Sequence, residues 1–183
     1  MTLKKIGGID MENALVLVDI FDNIIGESSK IDAHIKPCLH RAFSVYLLDG
    51  NKMLLQKRNI DKYHSGGKWA NACCSHFVKG EKGRDTIKKR LKDELGIYSE
   101  VNYLYKFMYY SKYDNDMYEY EYDHVYVGNL SEKSKIDFNP LEVEEYKWVD
   151  IKILENALVE KPDKFATWFV MSCPKVIEYI KNK

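Results

Sequence analysis

The sequence is poor in residues that break or staple a chain. Four prolines and four cysteines are scattered over 183 residues. The cysteines (Cys38, Cys73, Cys74 and Cys173) lack the spacing of a disulfide framework, and the adjacent pair Cys73–Cys74 is badly placed for an ordinary mutual bridge. An excess of either charge is also missing, because 28 basic residues balance 28 acidic ones; no global field favours nucleic acid or a membrane surface as partner. No apolar run approaches a membrane span. Met1–Asp10 carries lysines but neither the apolar core nor the small-residue cleavage site of a secretory signal. Repeats, low-complexity tracts and linkers are absent. What remains is the expectation of one reduced, cytoplasmic domain over 1–183, a monomer or weak homodimer, able to bury a core without staples.

Aromatic residues, by contrast, reach 13%, with fourteen tyrosines whose hydroxyls can serve buried sites. The pattern predicts strands over Ala14–Ile20, Ile24–Gly26, His40–Leu48, Lys52–Lys57, Val101–Ser111, Tyr118–Gly128 and Glu142–Asp150. Asp22–Asn23 and Asp49–Gly50 are turn signals, Tyr63–Lys68 reads as a loop, and the polar Lys112–Asp116 joins an antiparallel pair. Ile87, Leu91 and Leu95 recur every four residues, which predicts a helix over Asp85–Leu95 with Asp85 as N-cap and Gly96 as stop. Pro162–Lys183 reads as a terminal helix with a possible break at Pro174. The sum is an α+β domain with a mixed sheet.

Several residues with metal-ligand chemistry come in suggestive pairs. Cys74-Ser75-His76 sets a thiol and an imidazole two apart, and Glu119-Tyr120-Glu121 does the same with carboxylates. Residues two apart on a strand share a face, so each pair can converge on one cavity. With His34 and His40 upstream, the set would form a mixed nitrogen and oxygen site suited to zinc or manganese. Spacing alone leaves two other readings open: solvated strand faces, or a structural zinc site, since Cys38-Leu39-His40 repeats the Cys-x-His spacing.

The wider pattern is more specific. His40-Arg-Ala-Phe-Ser-Val, Trp69-Ala-Asn-Ala-Cys-Cys-Ser-His76 and Tyr118-Glu-Tyr-Glu-Tyr-Asp-His124 together resemble type I isopentenyl-diphosphate isomerase, in order from about His34 to Trp168. The resemblance implies a Nudix-like α/β/α sandwich with a mixed central sheet and a decayed Nudix box over Ser75–Ile97. Glu81 and Glu94 keep two acidic places of that box, while Lys89–Arg90 stand where a working hydrolase has Arg-Glu. Diphosphate hydrolysis is therefore the rival reading, with an incomplete glutamate cluster against it.

By the same resemblance, Cys74 and Glu121 are the acid–base pair on opposite sides of the substrate's double bond, with Glu121 as proton donor and Cys74, as a thiolate, handling the other proton. Tyr109 would hydrogen-bond to the acid, and Trp168 would stabilise developing positive charge. His34, His40, His76, Glu119 and Glu121 are implied ligands of one divalent ion, manganese or zinc. Glu94 would hold a second, Mg²⁺, beside the Cys74 backbone carbonyl. Lys30, Arg58, Lys62 and Arg90 fall where cations would grip the diphosphate of isopentenyl diphosphate. Cys73 should alternate to the opposite face and pack in the core.

Overall fold

The computed structural model describes residues 14–62, 64–113 and 116–182. The signal-peptide reading of Met1–Asp10, Tyr63 of the expected loop, and residues 114 and 115 of the expected link lie outside them. Among the described residues nine strands form one mixed sheet: β1 (Leu15–Val18), β2 (Ile24–Ser28), β3 (His40–Asp49), β4 (Lys52–Arg58), β5 (Trp69–Asn71), β6 (Cys73–His76), β7 (Val101–Lys112), β8 (Tyr118–Asn129) and β9 (Val143–Asp150). Four α-helices accompany it: α1 (Lys30–Ile35), α2 (Gly83–Leu95), α3 (Ile151–Glu160) and α4 (Thr167–Lys181).

Strand β3 organises the sheet. It runs parallel to β8 along its whole length, from His40 beside Glu121 to Leu48 beside Asn129. On its other edge it bonds β4 only next to their turn, at Leu48↔Met53 and Asp49↔Lys52. The two strands then part. Segment 69–76 fills the fork, with β6 antiparallel to β3 and β5 antiparallel to β4.

Alternation along the strands divides the core in two. Phe43, Val45, Leu47 and Leu54 face α2, where Ile87, Leu91 and Leu95 are fully buried. Tyr46, Leu48, Met53, Leu55 and Val125 face the other way, onto Leu154 and Leu158 of α3 and onto Trp168, Phe169 and Val176 of α4. Helices on both faces of the sheet make the expected α/β/α sandwich.

Several boundaries differ from expectation. Helix α2 begins two residues before Asp85, at Gly83, with Lys82 at the cap and no side-chain capping bond. Asp85 lies in the first turn, where its charge still suits the helix dipole. Gly96 ends the helix at φ 67°, and a Cβ there would press on the Asp137 carbonyl oxygen at 2.6 Å. The terminal helix is shorter than expected. Pro162–Lys164 form a 3₁₀ turn, Phe165 is extended and bridges to Trp69, and α4 then runs unbroken through Pro174. Helices α1 and α3 escape the periodicity reading; each starts from a side-chain cap, Ser29 accepting from Asp32 N and Asp150 from Lys152 N.

Candidate active site

Register builds the site. His40 of β3 lies beside Glu121 of β8, which lies beside Tyr109 of β7. In the next row of the same face, His76 of β6 neighbours Ala42, which neighbours Asp123; in the third, Cys74 neighbours Ser44. Helix α1 adds Lys30 and His34, one turn apart and so on one helix side.

His34, His40, His76 and Glu121 come together with one ligand atom of each within 4.8 Å of the others. Backbone carbonyls set the imidazoles: Lys30 O lies 2.6 Å from His34 Nδ1, and Cys38 O lies 2.8 Å from His40 Nδ1. A carbonyl can only accept, so Nδ1 of each ring carries the proton and the Nε2 lone pair is left for a ligand role. His40 Nε2 is buried without a hydrogen-bond partner, 3.6 Å from Glu121 Oε1. Burial pushes His76 down to about 3 and, together with the charge of His40, His34 down to about 4. Both are thus neutral donors. Burial also works to raise the Glu121 carboxyl, but His40 and His76 outweigh it and hold it well below the usual range. Three imidazoles and an anionic carboxylate aimed at one point fit a divalent metal ion.

Glu119, the fifth implied ligand, lies beside this group rather than in it. Its Oε2 accepts from the Tyr113 hydroxyl at 2.5 Å and the Tyr109 hydroxyl at 3.0 Å, while Oε1 lies 3.0 Å from His64 Nε2. Tyr109 also contacts Glu121 Oε2 at 2.8 Å. One hydroxyl proton thus faces two carboxylates.

Cys74, Glu121, Tyr109 and Trp168 line one cavity of about 170 Å³, together with Lys30, Arg58, Lys62, Arg90 and Glu94. A continuous sheet would keep Arg90 and Glu94 of α2 away from Trp168 of α4; the fork between β3 and β4 lets them meet. Burial pushes the Cys74 thiol up, against the opposing charge of Arg58, whose Nη1 is 3.8 Å from Sγ. The apo electrostatics therefore favour a protonated Cys74 rather than the expected resting thiolate. Cys73, next in the chain, is fully buried among the residues that face α2, as expected.

The cations crowd. Loss of solvent and the like charges of Lys62, Arg58 and Arg90 push the Lys30 amine down. Glu142 answers part of this charge, pairing with Lys62 and lying 3.6 Å from Arg90. Arg90 also donates to Glu94 Oε1 at 2.6 Å, and Gln56 donates to Glu94 Oε2 at 3.1 Å. A group of this kind suits a polyanion.

Several participants escaped the sequence reading. Asn71 accepts from the Trp168 indole N–H at 3.0 Å and so fixes the ring. Asp123 is buried and accepts from Ser44 at 2.7 Å. Burial and the charge of Glu121 push its carboxyl well above the usual range. His64, Tyr113 and Glu142 have no motif spacing; Asn71, inside the Trp69–His76 block, and Asp123, inside the Tyr118–His124 block, lay within the patterns that carried a signal.

Comparison with known proteins gives a consistent picture. The family model for the NUDIX domain matches residues 39–169. The isopentenyl-diphosphate Delta-isomerase 2 of Photorhabdus laumondii is 41% identical over 160 residues, covering 87% of this chain and 89% of that protein. The isopentenyl-diphosphate Delta-isomerase 2 of Aromatoleum aromaticum is 36% identical over 168 residues, covering 91% and 88%. Among solved structures, the DR0079 protein of Deinococcus radiodurans superposes with a TM-score of 0.68 at 12% identity, covering 91% of this chain and 98% of that one, a likeness of fold alone. Among the described residues no helix is long and apolar enough to cross a membrane.

Proposed function

The chain belongs to the type I, Nudix-superfamily isopentenyl-diphosphate isomerases, and from that premise we propose that Cys74 and Glu121 form its acid–base pair. Its reaction is the metal-dependent isomerisation of isopentenyl diphosphate to dimethylallyl diphosphate, a step of isoprenoid biosynthesis. The observation that carries the assignment is one cavity holding a thiol, a carboxylate and an indole beside a cluster of cations.

The substrate's alkene is a very weak base, so one proton must be delivered to its terminal carbon and another removed from the allylic carbon. Charge on the tertiary carbon develops in between. Glu121 delivers the first proton. Because His40 and His76 hold its carboxyl low, Glu121 must be recharged, and the Tyr109 hydroxyl between Glu121 and Glu119 supports a proton route. Cys74, once its resting proton has passed to solvent, removes the second proton as a thiolate and becomes the thiol; the Arg58 guanidinium steadies the thiolate before that transfer. Trp168 already holds Arg58 at 5.0 Å from its ring centre, and the rest of its surface serves the developing cation. Lys30, Arg58, Lys62 and Arg90 bind the diphosphate.

His34, His40, His76, Glu119 and Glu121 would hold a manganese or zinc ion, and Glu94 with the Cys74 carbonyl a Mg²⁺. When bound, such ions polarise the acid and neutralise diphosphate charge. We assign the whole chain, 1–183, to one domain working in the cytoplasm on a small molecule, as a monomer or weak homodimer. Hydrolysis is disfavoured: Lys89–Arg90 stand where a working hydrolase has Arg-Glu, so Arg90 takes an acidic place of the Nudix box, and here the two pair with Asp93 and Glu94. The test is incubation of the metal-replete protein with isopentenyl diphosphate, followed by proton and phosphorus NMR. Dimethylallyl diphosphate without free phosphate is expected; free phosphate without isomer would overturn the reading.

A further inference from the structure

Next to Trp168 the cavity wall is the ring of His64, a residue on the β4–β5 loop that supplies neither a diphosphate-binding cation nor a member of the four-residue metal cluster. Its position is over-determined. Arg58 Nη2 donates to its carbonyl at 3.4 Å, its Nε2 meets Glu119 Oε1 at 3.0 Å, and its ring stacks on Tyr113 with centroids 4.8 Å apart. The same ring sets its edge to Trp168 at 5.9 Å and 87°. Gly66 lets the loop fold this tightly, because a Cβ there would collide with the Ile60 carbonyl. His64 itself is only 7% exposed. The loop thus plants a flat, buried ring at right angles to the indole, backed by a second ring.

We propose that His64, buttressed by Tyr113, is the water-excluding wall of the alkene pocket and decides the fate of the cationic centre. This rests on the isomerase reading given above. A tertiary cation has two exits. It can lose an allylic proton to Cys74, which gives the isomer. Alternatively, a water oxygen can donate its electron pair to the tertiary carbon and release a proton, which gives the tertiary alcohol 3-hydroxy-3-methylbutyl diphosphate. Both exits balance without oxidant or reductant, and the second consumes one water, so water access chooses between them.

The experiment incubates wild type, His64→Ala, His64→Phe and Tyr113→Ala, all metal-replete and checked for folding by thermal unfolding, with isopentenyl diphosphate. NMR then reads the share of tertiary alcohol in the product. His64→Ala should raise that share by about tenfold or more, with KM changed by less than about threefold, since the diphosphate cations are untouched. Tyr113→Ala should give a smaller rise of the same kind, and it carries the test should His64→Ala not fold. His64→Phe keeps a flat ring but loses the contact with Glu119, and its product should be as pure as wild type's. Wild-type purity in both alanine variants would overturn the proposal. Leakage from His64→Phe as large as from His64→Ala would overturn it too, by giving the effect to the Glu119 contact. A wild type that makes no isomer is a different result, which refutes the isomerase reading itself.

Discussion

The two faces of strands β3, β6 and β8 are built from alternate residues of the same segments, yet they have opposite chemistry. Towards α2 point Phe43, Val45, Leu47 and Cys73, sealed by Ile87, Leu91 and Leu95. Towards α4 the pattern is apolar only at one end; at the other, Ser44, Cys74, His76, Glu121 and Asp123 line a cavity, with His40 beside Glu121. One residue of offset separates a thiol packed in the core, Cys73, from one that lines the cavity, Cys74. The comparison teaches that period 2 lets a strand carry stability and chemistry at once, provided that register is held. Here the long parallel β3–β8 ladder holds it.

Substitutions can break this comparison, and the largest effect belongs to the adjacent thiols and the acid. Cys74→Ala and Glu121→Gln should each lower kcat by about 10³-fold or more with the fold retained, as read by NMR turnover and circular dichroism. Cys73→Ala should stay within a few-fold of wild-type activity and cost about 1 kcal/mol of stability. Equal losses at Cys73 and Cys74 would dissolve the distinction between faces. On the α2 side the effect inverts. Leu91→Ala should remove about 2–5 kcal/mol of unfolding free energy while leaving turnover per folded molecule unchanged, measured by urea titration beside an activity assay.

Metal removal sharpens the contrast, because the ligands sit on the chemical face alone. Chelation should abolish turnover while far-UV circular dichroism keeps its native form, and returning a divalent ion should restore activity. Unfolding on chelation would instead mark a structural zinc site.

The smallest effect is at the polar end of the α2 face. Asp22 accepts from Arg41 at 2.8 Å and Lys106 at 2.8 Å, with His124 Nε2 at 2.9 Å. Burial pushes its carboxyl up, but the Lys106 and Arg41 bonds outweigh that and hold it below its usual value. A depressed carboxyl gives stability that is present above the unfolded value of about 4 and lost as pH falls through the folded one. Asp22→Asn should therefore cost about 1 kcal/mol at neutral pH and flatten the acid limb of the stability curve below about pH 4. An unchanged limb would show the cluster to be inert.

Much of this was legible in the sequence, for reasons that differ by residue. Strands β3, β4, β7 and β8 announced themselves by alternation and turn chemistry, and α2 by its four-residue apolar spacing. Cys74, His76, Glu119 and Glu121 stood out because pairs two apart share a strand face. Helix α1 was invisible: it has six residues, too few for periodicity, and Ile31 and Ile35 lie exposed. Helix α3 begins directly where β9 ends, so the strand pattern masked its start. The two-residue error at Asp85 arose because Gly83 is a poor helix former that tertiary context nonetheless recruits. Side chains that act across long sequence separations could not be read locally. His64 meets Glu119, and Glu142 meets Lys62, through register and loop closure. The protonation of Cys74 likewise depends on burial that no motif states.

The most direct measurement is the reaction in D₂O, followed by NMR, for wild type, Cys74→Ala and Glu121→Gln side by side. Wild type should form dimethylallyl diphosphate with deuterium in a methyl group, and neither variant should incorporate deuterium at a comparable rate. Isomer formed without solvent deuterium, or full incorporation by Cys74→Ala, would contradict the claim that these two residues carry the protons.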